Sequence, residues 1–289
     1  MKGGIKLDKV IELKDVVKRF GSTKAVNGVS FSVTRGDFFG LLGPNGAGKT
    51  TTFRMLTTLL KPDKGRIIIN GLDMNRDRRE IKKTMGMVSQ HFSLQGEMTA
   101  EENLELHGML HRIDKRKRKQ KIDELLEFSG LAEHRKKLVN NMSGGMKRRL
   151  MIIRALMHEP SILFMDEPTA GLDPSGRRSI WDLLKNLNRG GLTVLMTTHY
   201  IEEAEMLCNT VALMECGKII AQGSPDELKK KVGAFVLEVF KDGKTHYSFY
   251  NSEEEALRGA RGIGEGLTVR KSNLEDLFLM LTSHGVGGT

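Results

Sequence analysis

Residues Gly43, Pro44, Asn45, Gly46, Ala47, Gly48, Lys49 and Thr50, followed by Thr51, match the phosphate-loop pattern G-x-x-x-x-G-K-[ST] at every fixed position. Such a loop works only between a buried strand and a helix. The chain supplies both, an apolar run at 38–42 and a helical pattern predicted over 51–60. Three glycines let backbone N–H groups close on phosphate oxygens, and the helix N-terminus adds partial positive charge. Lys49 would neutralise β- and γ-phosphates as a point charge, and the Thr50 hydroxyl would ligate Mg²⁺. The alternative, a chance glycine-rich turn with a solvated lysine, shrinks once the later residues are counted.

Ahead of the loop, Ile11, Leu13 and Val17 and then Val29, Phe31 and Val33 fall at alternating positions, predicting a small antiparallel sheet. Phe20 stands where a ring could stack on a purine, and a core phenylalanine is an equal reading. Strands are predicted at 66–71 and 85–89. The second delivers the amide of Gln90 at its carboxyl end, within reach of a metal and an attacking water.

From 97 to 141 glycine thins, charge rises and apolar residues recur at helical spacing, as in Ile122, Leu125 and Leu126 before Gly130. This predicts an inserted helical subdomain. Ser143, Gly144 and Gly145 then open a helix striped by Met146, Leu150, Ile153 and Met157 and stopped by Pro160, so the three residues form an anion site. The apolar stretch 161–165 delivers Asp166, which can hold Mg²⁺ through water, and Glu167, which can orient or deprotonate water. A helix over Ile180, Leu183, Leu184 and Leu187 precedes a strand at 192–198. It ends at His199, placed for a γ-phosphate contact. Strands at 211–214 and 218–221 and a short helix at 226–231 close this unit. A hairpin at 235–240 and 245–250 about Asp242-Gly243, a helix at 253–261 and a helical pattern on Leu274, Leu277, Phe278 and Leu281 predict a small α+β tail, fraying at 285–289.

The 289 residues, 39% hydrophobic, suffice for one large α/β domain or two smaller units. No apolar run approaches the ~18–20 residues that cross a bilayer, and the polar start Met1-Lys2-Gly3-Gly4 lacks a secretory h-region. Cys208 and Cys216 lack CxxC spacing and are expected to be reduced, packed thiols of a cytosolic protein. The net charge of +10 is densest at Lys115, Arg116, Lys117, Arg118, Lys119 and Lys121. That run could meet nucleic acid or anionic lipid, but without interleaved aromatics the expectation is a solvated helix face and no nucleic-acid partner.

Taken together, Gly43 to Thr51, Gln90, Ser143-Gly144-Gly145, residues 162–167, Ala170-Gly171-Leu172-Asp173 and His199 resemble, in order, the Walker A, Q-loop, signature, Walker B, D-loop and switch motifs of the ATP-binding cassette family. The resemblance implies an α/β P-loop NTPase fold, with a RecA-like core, an antiparallel β subdomain and an inserted helical subdomain. The ATPase domain would span 8–231, with the insert at about 97–158, and 232–289 would form a C-terminal α+β extension. Three features are similar to the ATPases of daunorubicin-resistance and nodulation-factor exporters: residues 143–149, the run 173–178 and the tail 274–279. Met142 and Met146 replace the Leu and Gln of the common signature LSGGQ, and Phe20 replaces the usual adenine-stacking tyrosine.

By this resemblance ATP lies on residues 43–51 of one subunit, with its γ-phosphate facing Ser143 and Gly145 of a second subunit packed head to tail. Thr50, Gln90 and Asp166 hold Mg²⁺, Glu167 activates water, and His199 and Lys49 stabilise the transferring phosphate. The partners implied are a second ATPase subunit and a separate membrane permease, docked near Gln90 and the helical insert at the cytoplasmic face of the membrane. Two other readings compete: a soluble cassette ATPase acting on ribosomes, nucleic acid or Fe–S assembly, and a binding-only regulator. A single cassette without a long heptad arm argues against the first, and the presence of both Lys49 and Glu167 against the second.

Overall fold

The computed structural model describes residues 8–263 and 266–283. The polar start at Met1 to Gly4 and the tail at 285–289 lie outside the described residues.

Strands buried on both faces organise the centre. A six-stranded sheet runs in the order β10 (Lys218–Gly223), β9 (Thr210–Glu215), β3 (Phe38–Leu42), β8 (Thr193–Thr198), β7 (Ile162–Asp166) and β6 (Met85–Val88). All neighbours are parallel except the edge strand β10. Successive side chains of each strand enter opposite cores, as the two-residue period demands. Phe38, Leu42, Leu163, Met165, Val194 and Met196 face the helical side. Phe39, Leu41, Ile162, Phe164 and Leu195 face a second, four-stranded sheet.

That second sheet, β2 (Thr23–Thr34), β1 (Lys9–Phe20), β4 (Lys64–Ile69) and β5 (Leu72–Asp73), is antiparallel as expected. A register shift between Leu13 and Val16, with Asp15 at a positive φ of 48°, moves the inward position from the expected Val17 to Val16. The helix after the phosphate loop, α1 (Lys49–Leu56), starts and ends earlier than the predicted 51–60. Thr57 bonds back to the Phe53 carbonyl and Thr58 turns to a φ of 61°, which breaks the ladder.

The insert contains α3 (Ala100–Leu110) and α4 (Lys115–Phe128), followed by α5 (Gly144–Leu156). The basic run at the start of α4 is not wholly solvated. Arg118 turns inward to Glu105 at 2.6 Å and donates to the Ile113 carbonyl. The remaining helices of this unit are α2 (Arg78–Thr84), α6 (Pro174–Arg189), α7 (Ile201–Leu207) and α8 (Pro225–Lys230). Cys208 is buried as expected, but Cys216 is exposed, in the turn between β9 and β10 at a φ of 45°.

Beyond α8, β11 (Phe235–Lys241) pairs with β12 (Lys244–Tyr250) and β13 (Leu267–Lys271) in a three-stranded antiparallel sheet beside α9 (Glu253–Gly259). Asp242 and Gly243 form the hairpin turn with both φ values positive. Leu274 and Leu277 of α10 (Leu274–Ser283) join the main core with Leu228 and Val232, and the Leu274 N–H donates to Glu205 of α7. Arg270 ties this unit internally, bonding Glu238 and the fully buried Asp276.

Candidate active site

The phosphate loop springs from the middle of the central sheet, where β3 gives way to α1. Its glycines answer to space as well as to φ. Gly48 sits at a φ of 105°, and a Cβ there would lie 2.3 Å from the Ala25 carbonyl oxygen. A Cβ on Gly43 would lie 2.1 Å from that of Met214. The loop's backbone is thus folded tightly, with Pro44, Asn45, Gly46 and Thr50 left at the surface, Ala47 buried, and Gly48 and Thr51 half-buried. Lys49 is buried, and its ammonium donates to the Gly43 and Pro44 carbonyls at 2.8 and 2.9 Å. Burial lowers the Lys49 pKa, against the opposing charges of Glu167 and Asp166.

The two acids arrive at the end of β7, two strands away across β8. Asp166 is buried and accepts a short hydrogen bond from the Thr197 hydroxyl. Burial raises its pKa, with the Thr197 bond and the Lys49 charge pulling the other way. Glu167 leaves the strand at a φ of 47°, and its N–H is held by Thr197, 3.1 Å from the carbonyl oxygen. That turn swings its carboxylate between two partners. His199 Nδ1 is 3.0 Å from Oε1, and Gln90 Nε2 donates to Oε2 at 3.1 Å. Thus Gln90, Glu167 and His199, from three strand ends, form one contiguous group. Asp166, Gln90 and Thr50 offer carboxylate, amide and hydroxyl oxygens, a hard donor set that suits Mg²⁺ rather than a thiophilic metal.

The signature residues stand apart from this group. Ser143 caps α5 by accepting from the Met146 N–H, and with Gly144, Gly145, Gly171, Asp173 and Gly176 it lines a cleft of about 470 Å³. None of residues 43–51 lines that cleft. The departures Met142 and Met146 point into the core, so they leave the exposed Ser143-Gly144 face unchanged. Phe20 is 51% exposed, which removes the core reading. Its ring lies 5.9 Å from the Lys18 ammonium, at the tip of the β1–β2 hairpin, whose Ala25 carbonyl abuts Gly48.

Two positioning residues were not singled out from the sequence. Arg148, on α5 and 1% exposed, donates to the carbonyls of Ser89 at 2.8 Å and Gln90 at 2.9 Å, tying the signature helix to the Gln90 backbone. Glu203 is fully buried and accepts from Thr169 and Thr198, joining the loop after Glu167 to the strand end before His199. Arg148 lay within a stretch read for its family pattern, and neither residue has a spacing signal of its own.

A phosphate loop at the centre of a parallel sheet, with an acid pair delivered beside a buried lysine, defines a P-loop nucleoside triphosphatase. The particular family follows from comparison. The family model for ABC transporter matches residues 26–170, and the chain belongs to this family as an ATP-binding, ATP-hydrolysing transporter subunit. It is 45% identical over 232 residues to the daunorubicin resistance ATP-binding protein DrrA3 of Streptomyces coeruleorubidus, covering 80% of this chain and 73% of that protein. It is 41% identical over 295 residues to the Nod factor export ATP-binding protein I of Rhizobium sp. (strain N33), covering 94% and 96%. A solved neighbour, the dimeric post-hydrolysis ATP-binding cassette MJ0796 bound to ADP and Pi, has a TM-score of 0.66 at 29% identity, covering 74% of this chain and 98% of that one. These relatives disfavour the soluble cassette acting on ribosomes, nucleic acid or Fe–S assembly.

Proposed function

We propose that this subunit energises the export of a substrate through a separate membrane permease, by hydrolysing ATP between two head-to-tail ATPase subunits. The observation that carries the reading is the Glu167 carboxylate, held at 3.0 Å by His199 and 3.1 Å by Gln90, with Lys49 buried in the phosphate loop. Residues 43–51 bind the phosphates of ATP, and the exposed Phe20 ring stacks on its adenine. Thr50 and Gln90, with Asp166 through water, would hold Mg²⁺. When bound, that ion neutralises charge on the β- and γ-phosphates. Glu167 takes the proton of the attacking water, His199 orients the carboxylate and then the γ-phosphate, and Lys49 stabilises the charge that develops.

Ser143, Gly144 and Gly145 of a second copy complete the site, which accounts for their separate, exposed cleft in one subunit. The dimeric, ADP- and Pi-bound state of the solved neighbour supports that arrangement. Among the described residues no helix is long and apolar enough to cross a membrane. Membership of the ABC transporter family supports a separate permease as partner, with this subunit at the cytoplasmic membrane face. The printed names of the relatives, drug resistance and Nod factor export, support outward transport. We also take 8–231 as the ATPase domain, with its insert at about 97–158, and 232–289 as the extension. The third sheet, whose strands pair only with one another among the described residues, supports that division.

Glu167→Gln tests the proposal. It keeps ATP binding, nearly abolishes phosphate release and accumulates an ATP-bound dimer on size exclusion. Wild-type phosphate release from that variant removes Glu167 from its role.

A further inference from the structure

Away from the phosphates, three histidines converge in a groove between the helical insert and the central sheet. The sequence keeps them apart, His107 and His111 near one helix end and His158 almost fifty residues on. The His111 N–H still bonds the His107 carbonyl, so the i,i+4 spacing puts both rings on one face at the end of α3. His158 follows α5, and its Nε2 lies 3.0 Å from the carbonyl oxygen of Met85 at the start of β6. One ring nitrogen from each histidine lies within 4.8 Å of the other two.

Two buried ring nitrogens of this cluster, His107 Nε2 and His158 Nδ1, have no hydrogen-bond partner among the described residues. Leaving such atoms unpaired costs free energy, so the geometry asks for a ligand that satisfies both. The Met85 carbonyl can only accept, so His158 donates through Nε2 and keeps the buried Nδ1 as a lone pair available to a ligand. A backbone carbonyl in that relation is the usual outer support of a metal-bound imidazole.

We propose that His107, His111 and His158 form a binding site for a late first-row divalent cation, with Zn²⁺ the fitting ion, outside the ATP site. Three imidazoles and a water make a tetrahedral set for Zn²⁺, whereas Mg²⁺ and Ca²⁺ require oxygen ligands. Zn–N bonds of about 2.0–2.1 Å bring nitrogens to roughly 3.3 Å of one another, so the cluster must contract by up to about 1.5 Å. His111 supplies the movement. Its ring is exposed and stacked on His158 at 4.0 Å between centroids, and it must turn edge-on to ligate. Arg154, which borders the groove, opposes a cation. Its guanidinium is engaged by the carbonyl and hydroxyl of Ser93, so affinity in the micromolar range is expected rather than the tightest class. An ion here ties the end of α3 to His158, just beyond α5, which itself bonds the start of β6, the strand that leads to Gln90.

The test uses the untagged full chain, stripped with a chelator, without nucleotide. Titration with Zn²⁺ by calorimetry should give one ion per chain and a raised melting temperature, and Co²⁺ should give a tetrahedral visible spectrum. His111→Ala, at an exposed position, should weaken uptake at least about ten-fold. His111→Cys should restore it, and His246→Ala should leave it unchanged. Absence of stoichiometric uptake, or uptake undiminished in His111→Ala, overturns the proposal. So does uptake that survives His111→Ala but is lost in His199→Ala, which places the ion at the Glu167 group. Should His111→Ala melt before titration, His111→Gln gives the same comparison.

Discussion

Replacing Arg148 with methionine separates positioning from binding in this ATPase. Its guanidinium donates to two carbonyls, those of Ser89 and Gln90, from a position 1% exposed. Burial pulls its pKa down, with Glu203 resisting. Hydrogen bonds from a charged donor contribute about 1.5–3 kcal/mol each, so the two contribute roughly 3–6 kcal/mol. Methionine also removes the desolvation cost of a buried cation, on the order of several kcal/mol, which offsets much of that loss. A net destabilisation of about 1–3 kcal/mol follows, and a melting temperature lower by several degrees. The larger effect falls on turnover. The Gln90 side chain is exposed and its backbone carbonyl is held by Arg148, while its amide sets the Glu167 carboxylate at 3.1 Å. Releasing it by about 1 Å costs on the order of 10²-fold in rate. Phosphate release measured against ATP concentration should therefore show kcat falling about 10–100-fold with KM little changed, because the 43–51 loop is untouched. Arg148→Lys should fall between, since an ammonium is a single point charge where the guanidinium forks across two acceptors. A wild-type kcat in Arg148→Met, or a rate loss matched by the unfolded fraction at the assay temperature, refutes the reasoning.

Ser143→Arg in a preparation of a single chain should block turnover with little loss of nucleotide affinity if, as proposed, the serine completes the opposing subunit's site. Equal loss of ATP binding, read with a fluorescent analogue, would assign the signature to its own subunit. Arg270→Met should leave the fully buried Asp276 carboxylate without its cation, a loss of about 3–5 kcal/mol local to the extension. Limited proteolysis should then cut beyond residue 232 faster while ATP hydrolysis persists, and an unchanged digestion pattern would reject that role for the ion pair.

The elements that recur with a strong period are legible in the sequence. The central strands are apolar on both faces, α5 and α6 repeat at helical spacing, and Asp242-Gly243 is a turn by its own chemistry. Four short elements, α2, α7, β5 and β13, have no expected counterpart, because so few residues show too few repeats to establish a period where no turn former marks their ends. The helix predicted over 51–60 differs at both ends: it already includes Lys49 and Thr50, and it stops where Thr58 turns to a φ of 61°. Cys216 was expected to pack because cysteine usually does, but its hairpin turn points it outward.

Sequence alone marked the candidate chemistry: the phosphate-loop pattern at 43–51, and the strand ends that carry Gln90, Asp166, Glu167 and His199. These are local patterns, each complete within a strand, a turn and a helix start, so neighbouring residues suffice to write them. Tertiary structure alone decided how those ends meet: the turn of Glu167 between His199 and Gln90, the reach of Arg148 from the signature helix to the Gln90 backbone, and the meeting of His107 and His111 with His158. Such contacts join residues dozens of positions apart, and their partners are set by sheet order and helix packing. A single polar side chain carries no periodicity to announce the partner it will meet.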